Sequence, residues 1–366
     1  MELRKLNTLR GIAALIVLIG HYSNEFNFLS NVLGGQSGHI GVMLFFLLSS
    51  FLITYKYIEK PPTKEAIFNY LISRFARVLP LYLIVILISF IAHLYLPSAI
   101  HDYVYHITNI KELLEHMLFL RGTSVLWTIA PEIYFYLTFV IIWILFSCIK
   151  LKIIEINNII ISITIIIVIS ISIFIIIIFL TLRQGNNGVI NLFGLTIQPH
   201  IRVFSYFFMG VIIGCLYSSW KNKILPCSHY NVLVLLLIPF LFPNIYVYFT
   251  DFKIELWKNI WIFTIISSIF FIIIFMIPVN NKFLETNLGD FIGKISYSIY
   301  ILHYPLLKII KEFEIINSYN RFLLYLIVVI IFSYGSYILL ELPLKNYFKN
   351  YLMINNLTRE GKKYCV

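Results

Sequence analysis

Charge is what this sequence has least of. Only 12% of its 366 residues are Asp, Glu, Lys or Arg, about half the share of a water-soluble domain. Acid is scarcer still, with 17 carboxylates against 28 basic side chains and a net charge of +11. Four cysteines cannot build a disulfide scaffold, and 16 glycines with 12 prolines exclude collagen-like repeats. Disorder is excluded from the other side, because 60% of the residues are hydrophobic and 17% aromatic. A soluble enzyme of this composition would expose more apolar surface than water tolerates. The chain reads as an all-α, polytopic membrane protein. Its basic residues lie mostly between apolar runs, which points to topology control and away from a nucleic-acid partner.

A helix needs about 20 apolar residues to cross the hydrocarbon core. That window yields ten spans, at 9–28, 38–55, 78–97, 124–148, 153–180, 200–219, 230–249, 258–279, 293–311 and 321–343. The first run is long enough to span and lacks a small-residue cleavage site, so it is no signal peptide. Placing both termini in the cytoplasm puts 19 of the 28 basic residues inside and leaves nine outside, the bias expected of cytoplasmic loops. Cys148, Cys227 and Cys365 then fall near the inner face and Cys215 in the inner half of a span, as reduced thiols. Residues 1–344 form one membrane domain; the basic tail 345–366 is too short to fold alone. The Ile-rich run 153–180 carries no chemistry.

Ionisable groups inside spans are costly and so are functional candidates. Arg10 and His21 lie eleven residues apart on the first span, three helical turns plus about 20°, and share a face roughly 16 Å apart along the axis. His303, on the ninth span, and Glu132, on the fourth, come out at the depth of His21. Two imidazoles and a carboxylate at one level suit acid–base work. No fixed-spacing ligand motif supports a metal. Arg74 and Arg77 share a helix face at the inner edge. With Arg10 they offer three guanidinium forks, the group best suited to phosphate. Taken singly, each arginine is also what inner-face flanking charge looks like. Glu341 in the last span returns to that level to orient one of them. His101, His106 and His116, in the 98–123 loop with Glu112 and Glu115, read as solvated. His39, His93 and His200 read as interfacial, and Lys308, Lys311, Glu312 and Glu314 as a charged outer cap.

Six short blocks then fall in a known order. They are LNTLRGIAALIVLIGHYS with Arg10 and His21, GVMLFFLLSSFLIT (41–54), RFARVLPLY (74–82), LWTIAPEIYFYL (126–137), ISYSIYILHYPLL (295–307) and ELP (341–343). Together they resemble the membrane-bound acyltransferase 3 family over nearly the whole chain. The resemblance implies transfer of an acyl group, most often acetyl, from cytoplasmic acyl-CoA to a hydroxyl of a cell-surface carbohydrate or its lipid-linked precursor, such as lipopolysaccharide, at a bacterial cytoplasmic membrane. Acetyl-CoA would be a donor substrate; no permanent cofactor is implied. The family's motifs match this sequence at Arg10, His21, Arg74 and Arg77, at Trp127 and Glu132, and at Ser296, Tyr297, Tyr300 and His303. Two positions depart from it: Met43 stands where an acidic residue is usual, and Ser50 where Gly is. On this reading the inner arginines hold the donor and His21 acts as general base or transient acyl carrier. Glu132 orients an imidazole, and Tyr297, Tyr300 and His303 donate hydrogen bonds to oxyanion or sugar. Trp127 and Ser296 belong to the acceptor side. Two other classes compete: a transporter or flippase for a lipid-linked sugar, and a non-catalytic subunit of a polysaccharide synthase.

Overall fold

The computed structural model describes residues 4–153, 190–192, 195–197, 201–220, 228–250, 255–313 and 317–348. The run 153–180 (beyond its first residue), His200, Cys227, Glu314, Cys365 and most of the basic tail lie outside them. Helices dominate: α1 (Arg4–Phe26), α2 (Gly38–Tyr57), α3 (Lys64–Tyr95), α4 (Ile110–Met117), α5 (Ile129–Ile153), α6 (Phe204–Trp220), α7 (Pro243–Thr250), α8 (Ile260–Met276), α9 (Asn287–Lys311) and α10 (Ser318–Ser336). The all-α expectation has one exception, a two-stranded antiparallel hairpin of Ile190–Leu192 against Leu195–Ile197, with Ile190 opposite Ile197.

Five helical segments are long and apolar enough to cross a membrane, and the count rises to six if a bent pair is one span. The expected ten are not reached among the described residues. Two runs make helices of 17 residues, α6 and α8, each about 26 Å long against a core of about 30 Å. The run at 230–249 is not a straight helix. It forms 3-10 turns at His229–Leu237 and Pro239–Leu241, then α7, with a bend of 79°. Pro239 and Pro243 have no N–H to give and break the ladder there.

The third span begins well before the expected 78. Thr63 caps α3 by accepting from the Ala66 N–H at 3.1 Å, and Glu65 in its first turn suits the helix dipole. A hydropathy window discards those polar turns, yet they are helical. Arg74 and Arg77 therefore sit inside a 32-residue helix rather than at its start.

Helix α1 is the centre of the bundle, packed most extensively on α9 and α2. It runs parallel to α9: the Asn7 amide donates to Asp290 at 2.8 Å near their starts, and Lys308 and Lys311 reach Glu25 near their ends. Glycine permits this closeness. A Cβ on Gly293 would overlap the Asn7 carbonyl, and one on Gly41 of α2 would overlap the Ala13 carbonyl. Lys5, expected as a flanking topology charge, is buried instead. Its ammonium donates to the carbonyls of Ile273, Ile274 and Ile277 at 2.9–3.0 Å, where α8 ends.

Candidate active site

The α1–α9 alignment brings His21 and His303 together. Their ring centroids are 5.1 Å apart at 51°, with His21 half-buried and His303 wholly buried. His303 Nδ1 lies 2.8 Å from the Tyr300 carbonyl and 3.1 Å from that of Ile299. Carbonyl oxygens only accept, so Nδ1 carries the proton and the neutral ring keeps Nε2 bare. That Nε2 is buried with no protein partner. In this tautomer it accepts, and the expected donation to an oxyanion is corrected accordingly. Tyr304 meets the edge of His21 at 5.8 Å, and Tyr300 lies 5.9 Å from His303.

Toward the start of α1, Arg10 and Arg77 share a cavity of about 50 Å³ with Ser49, Glu132, Tyr297 and Tyr300. Glu132 accepts from the Tyr136 hydroxyl at 2.6 Å and from Ser49 at 3.1 Å. It thus belongs with the arginines. Among the described residues no hydrogen bond joins it to either imidazole. Equal depth had suggested otherwise, but depth leaves each helix free to turn about its axis, and α5 turns Glu132 toward α2. Arg74 does not line this cavity; its Nε is buried without a partner.

The hydroxyls assigned to the acceptor are engaged with backbone. Tyr297 donates to Val78 at 2.6 Å, Tyr300 to Val125 at 2.9 Å and Ser296 to Gly293 at 2.8 Å. The two tyrosines tie α9 to α3 and to the turn Ser124–Thr128, which positions the wall rather than offering a proton. Glu341 accepts from the Ser298 hydroxyl and lies close enough to Arg77 to interact with its charge. Trp127 stands perpendicular to Trp257 at 5.6 Å, beside His39 at 6.3 Å. Trp257 and Glu25 were missed by sequence reading, and nothing local marks them.

Of the loop histidines, His106 is exposed as expected, while His101 is half-buried and His116 is not solvated at all. His93 stacks on His101 at 4.4 Å and lies 5.3 Å from His106. His116 and Glu115 are fully buried, and Arg121 approaches Glu112 and Glu115 at 3.5 and 3.6 Å. Burial pushes the His116 imidazole below its usual pKa. Among the described residues, no group of three or more His, Cys, Asp or Glu side chains is arranged to hold a metal.

Six ordered motifs and an arginine–imidazole core invite comparison with known proteins. The family model described as an acyltransferase domain, acyltransferase 3, matches residues 3–341. The chain belongs to the acyltransferase 3 family. No curated protein and no solved structure matches it. Membership makes this a membrane acyltransferase in general terms. The Ser50 departure has a packing counterpart in this acyltransferase: Ser50 donates to the Phe46 carbonyl at 2.8 Å and faces Gly210 of α6, where any Cβ would collide with it.

Proposed function

We propose that this acyltransferase moves an acyl group, most simply acetyl, from acyl-CoA to a hydroxyl of a carbohydrate, with the donor arriving from the cytoplasm at the start of α1 and the acceptor from the opposite face. The observation that carries the reading is the His21–His303 pair, enclosed between α1 and α9, with Arg10 and Arg77 in a cavity against the same two helices.

In the reaction the acceptor oxygen attacks the thioester carbonyl carbon. His21 takes the hydroxyl proton as the C–O bond forms, the C–S bond breaks, and the thiolate leaves with a proton. An imidazole has a nitrogen lone pair that can take the proton and give it back, which suits that exchange. His303 offers its bare Nε2 to steady the His21 imidazolium. Arg10 and Arg77 supply the positive charge that suits phosphate or a developing oxyanion. Glu132, held by Tyr136 and Ser49, balances them. A cavity of about 50 Å³ holds a few waters at most, so donor binding has to widen it, as substrate-driven rearrangements do.

The broken segment 229–250 gives the transporter reading its one structural point, since discontinuous helices line transporter sites. The segment from Tyr230 to Thr250 carries no Asp, Glu, Lys, Arg or His, so it offers no charged relay. Purified protein incubated with labelled acetyl-CoA and candidate glycans separates the readings. Acceptor-dependent release of CoA is expected; its absence across acceptors, with the sugar moved intact across vesicles, would replace this proposal with transport.

A further inference from the structure

A second cavity of about 550 Å³ lies at the opposite end of the bundle, within the roughly 300–1,000 Å³ of small-molecule sites. The segment Asp102–His106 and the last turn of α9 wall it. One aromatic ring parts it from the imidazole pair. Tyr304 lines the cavity, stacks on Tyr105 at 6.0 Å and meets His21 edge-on at 5.8 Å.

The charges around this chamber are mixed in a particular way. Lys308 and Lys311 line it, and both pair with Glu25, at 3.0 and 2.8 Å. Lys308 also lies over the Tyr304 ring at 5.4 Å. Glu25 stands outside the lining and holds both ammonium groups, so Asp102 and Glu312 are the carboxylates that face the chamber, beside His101 and His106. An anionic ligand meets two carboxylates, and the lysines that could answer it are already held by Glu25. A neutral polyol finds carboxylate oxygens to take its hydroxyl protons and a tyrosine face for its C–H edge.

We infer that this chamber receives the acceptor and takes an uncharged, hydroxyl-rich sugar residue in preference to one bearing a carboxylate or phosphate. The inference rests on the acyl-transfer reading and extends it to the acceptor's charge class. The hydroxyl is delivered past Tyr304 to His21.

The test uses the full chain in membrane vesicles, with Cys148, Cys215, Cys227 and Cys365 replaced by serine and Ser124→Cys in the chamber wall; His106→Cys serves if that variant does not fold. Anionic sulfonatoethyl and cationic trimethylammonioethyl methanethiosulfonates are the probes, each rate divided by its rate with a free thiol. The anion is expected to label at least about tenfold more slowly than the cation, and Asp102→Asn with Glu312→Gln to bring the two within about threefold. Equal normalised rates in the parent would overturn the charge assignment. In a second arm the chamber is obstructed with a bulky uncharged methanethiosulfonate that carries a biotinamide group. Acetyl transfer to glycan is then expected to fall at least about tenfold, while acetyl-CoA still raises the thermal midpoint. Unchanged transfer after complete labelling would overturn the chamber as the acceptor's route. Vesicles that acylate no glycan before labelling would sink the acyl-transfer reading, and the labelling ratio would still decide the chamber's charge preference.

Discussion

His21 of α1 and His303 of α9 lie ring to ring, 5.1 Å between centroids, and only His303 has its tautomer fixed by backbone carbonyls. The two imidazoles are therefore unequal. One is buried and held with a bare Nε2; the other is half-buried beside Tyr304, where a substrate hydroxyl can reach it.

That inequality predicts different losses. His21→Ala removes the proton acceptor and should lower acyl transfer by about 10²–10⁴-fold at unchanged protein level. His303→Gln should lower kcat by a smaller factor and leave the acyl-CoA KM alone. Both are read from CoA release in purified protein. A His21→Ala enzyme with near-parental turnover would remove His21 from the mechanism.

Arginine 10 and arginine 77 should act on the donor. Each charge-assisted bond contributes about 1.5–3 kcal/mol, so Arg77→Ala should raise the acyl-CoA KM by roughly tenfold or more, with the acceptor KM within about twofold. Arg77→Lys should recover only part, because an ammonium keeps the charge and loses the fork. A rise confined to the acceptor KM would move these residues to the other substrate.

Why some of this was legible in the sequence and some was not follows from geometry. Arg10 and His21 share one helix, so their relation is fixed by 3.6 residues per turn. The His21–His303 meeting was legible as a common depth, and parallel packing of α1 on α9 realised it. Glu132 had the same depth, but its partners depend on how α5 is turned toward α2, which no single-helix pattern records. The hydroxyls of Ser296, Tyr297 and Tyr300 donate to backbone carbonyls, acceptors that every residue carries and that composition cannot distinguish. Lys5 looked like any flanking cation until α8 placed three carbonyls around it.

Lys5 supplies a stability prediction. Lys5→Met would leave the carbonyls of Ile273, Ile274 and Ile277 without their donor and the end of α8 without its cation. An unsatisfied buried polar group costs about 1–3 kcal/mol, so a loss of roughly 3 kcal/mol or more is expected in thermal unfolding in detergent. A midpoint equal to the parent's would show that water replaces the ammonium there.

Gly293 predicts a loss of activity without a charge being touched. A Cβ at this position overlaps the Asn7 carbonyl, so Gly293→Ala must push α9 away from α1. The imidazole pair spans that same interface. Turnover should fall by about tenfold or more, since misplacement by roughly 1 Å is enough for larger losses, while Gly335→Ala, with open space around its Cβ, should be neutral. Equal activity of the two variants would mean that the helix spacing does not set the dyad.

His116 predicts a pH effect outside the membrane spans. Its Nδ1–H donates to the Glu112 carbonyl at 2.7 Å, and Nε2 accepts the Thr123 N–H at 3.1 Å. Burial pushes its pKa below the ordinary value, so the folded segment holds the neutral ring. The stabilisation is complete above the unfolded value near 6.5 and is lost as pH falls through the lower folded value. Protonation turns Nε2 into a donor, which can give its hydrogen to the Thr123 hydroxyl oxygen at 3.0 Å but leaves the Thr123 N–H without an acceptor. Amide exchange at Thr123 should therefore be faster at pH 5 than at pH 8, beyond the intrinsic pH dependence of exchange. In His116→Phe, which accepts no hydrogen bond at any pH, that excess should vanish and protection should be low throughout. Equal corrected protection at both pH values in the parent would show that the Thr123 N–H does not depend on the neutral imidazole.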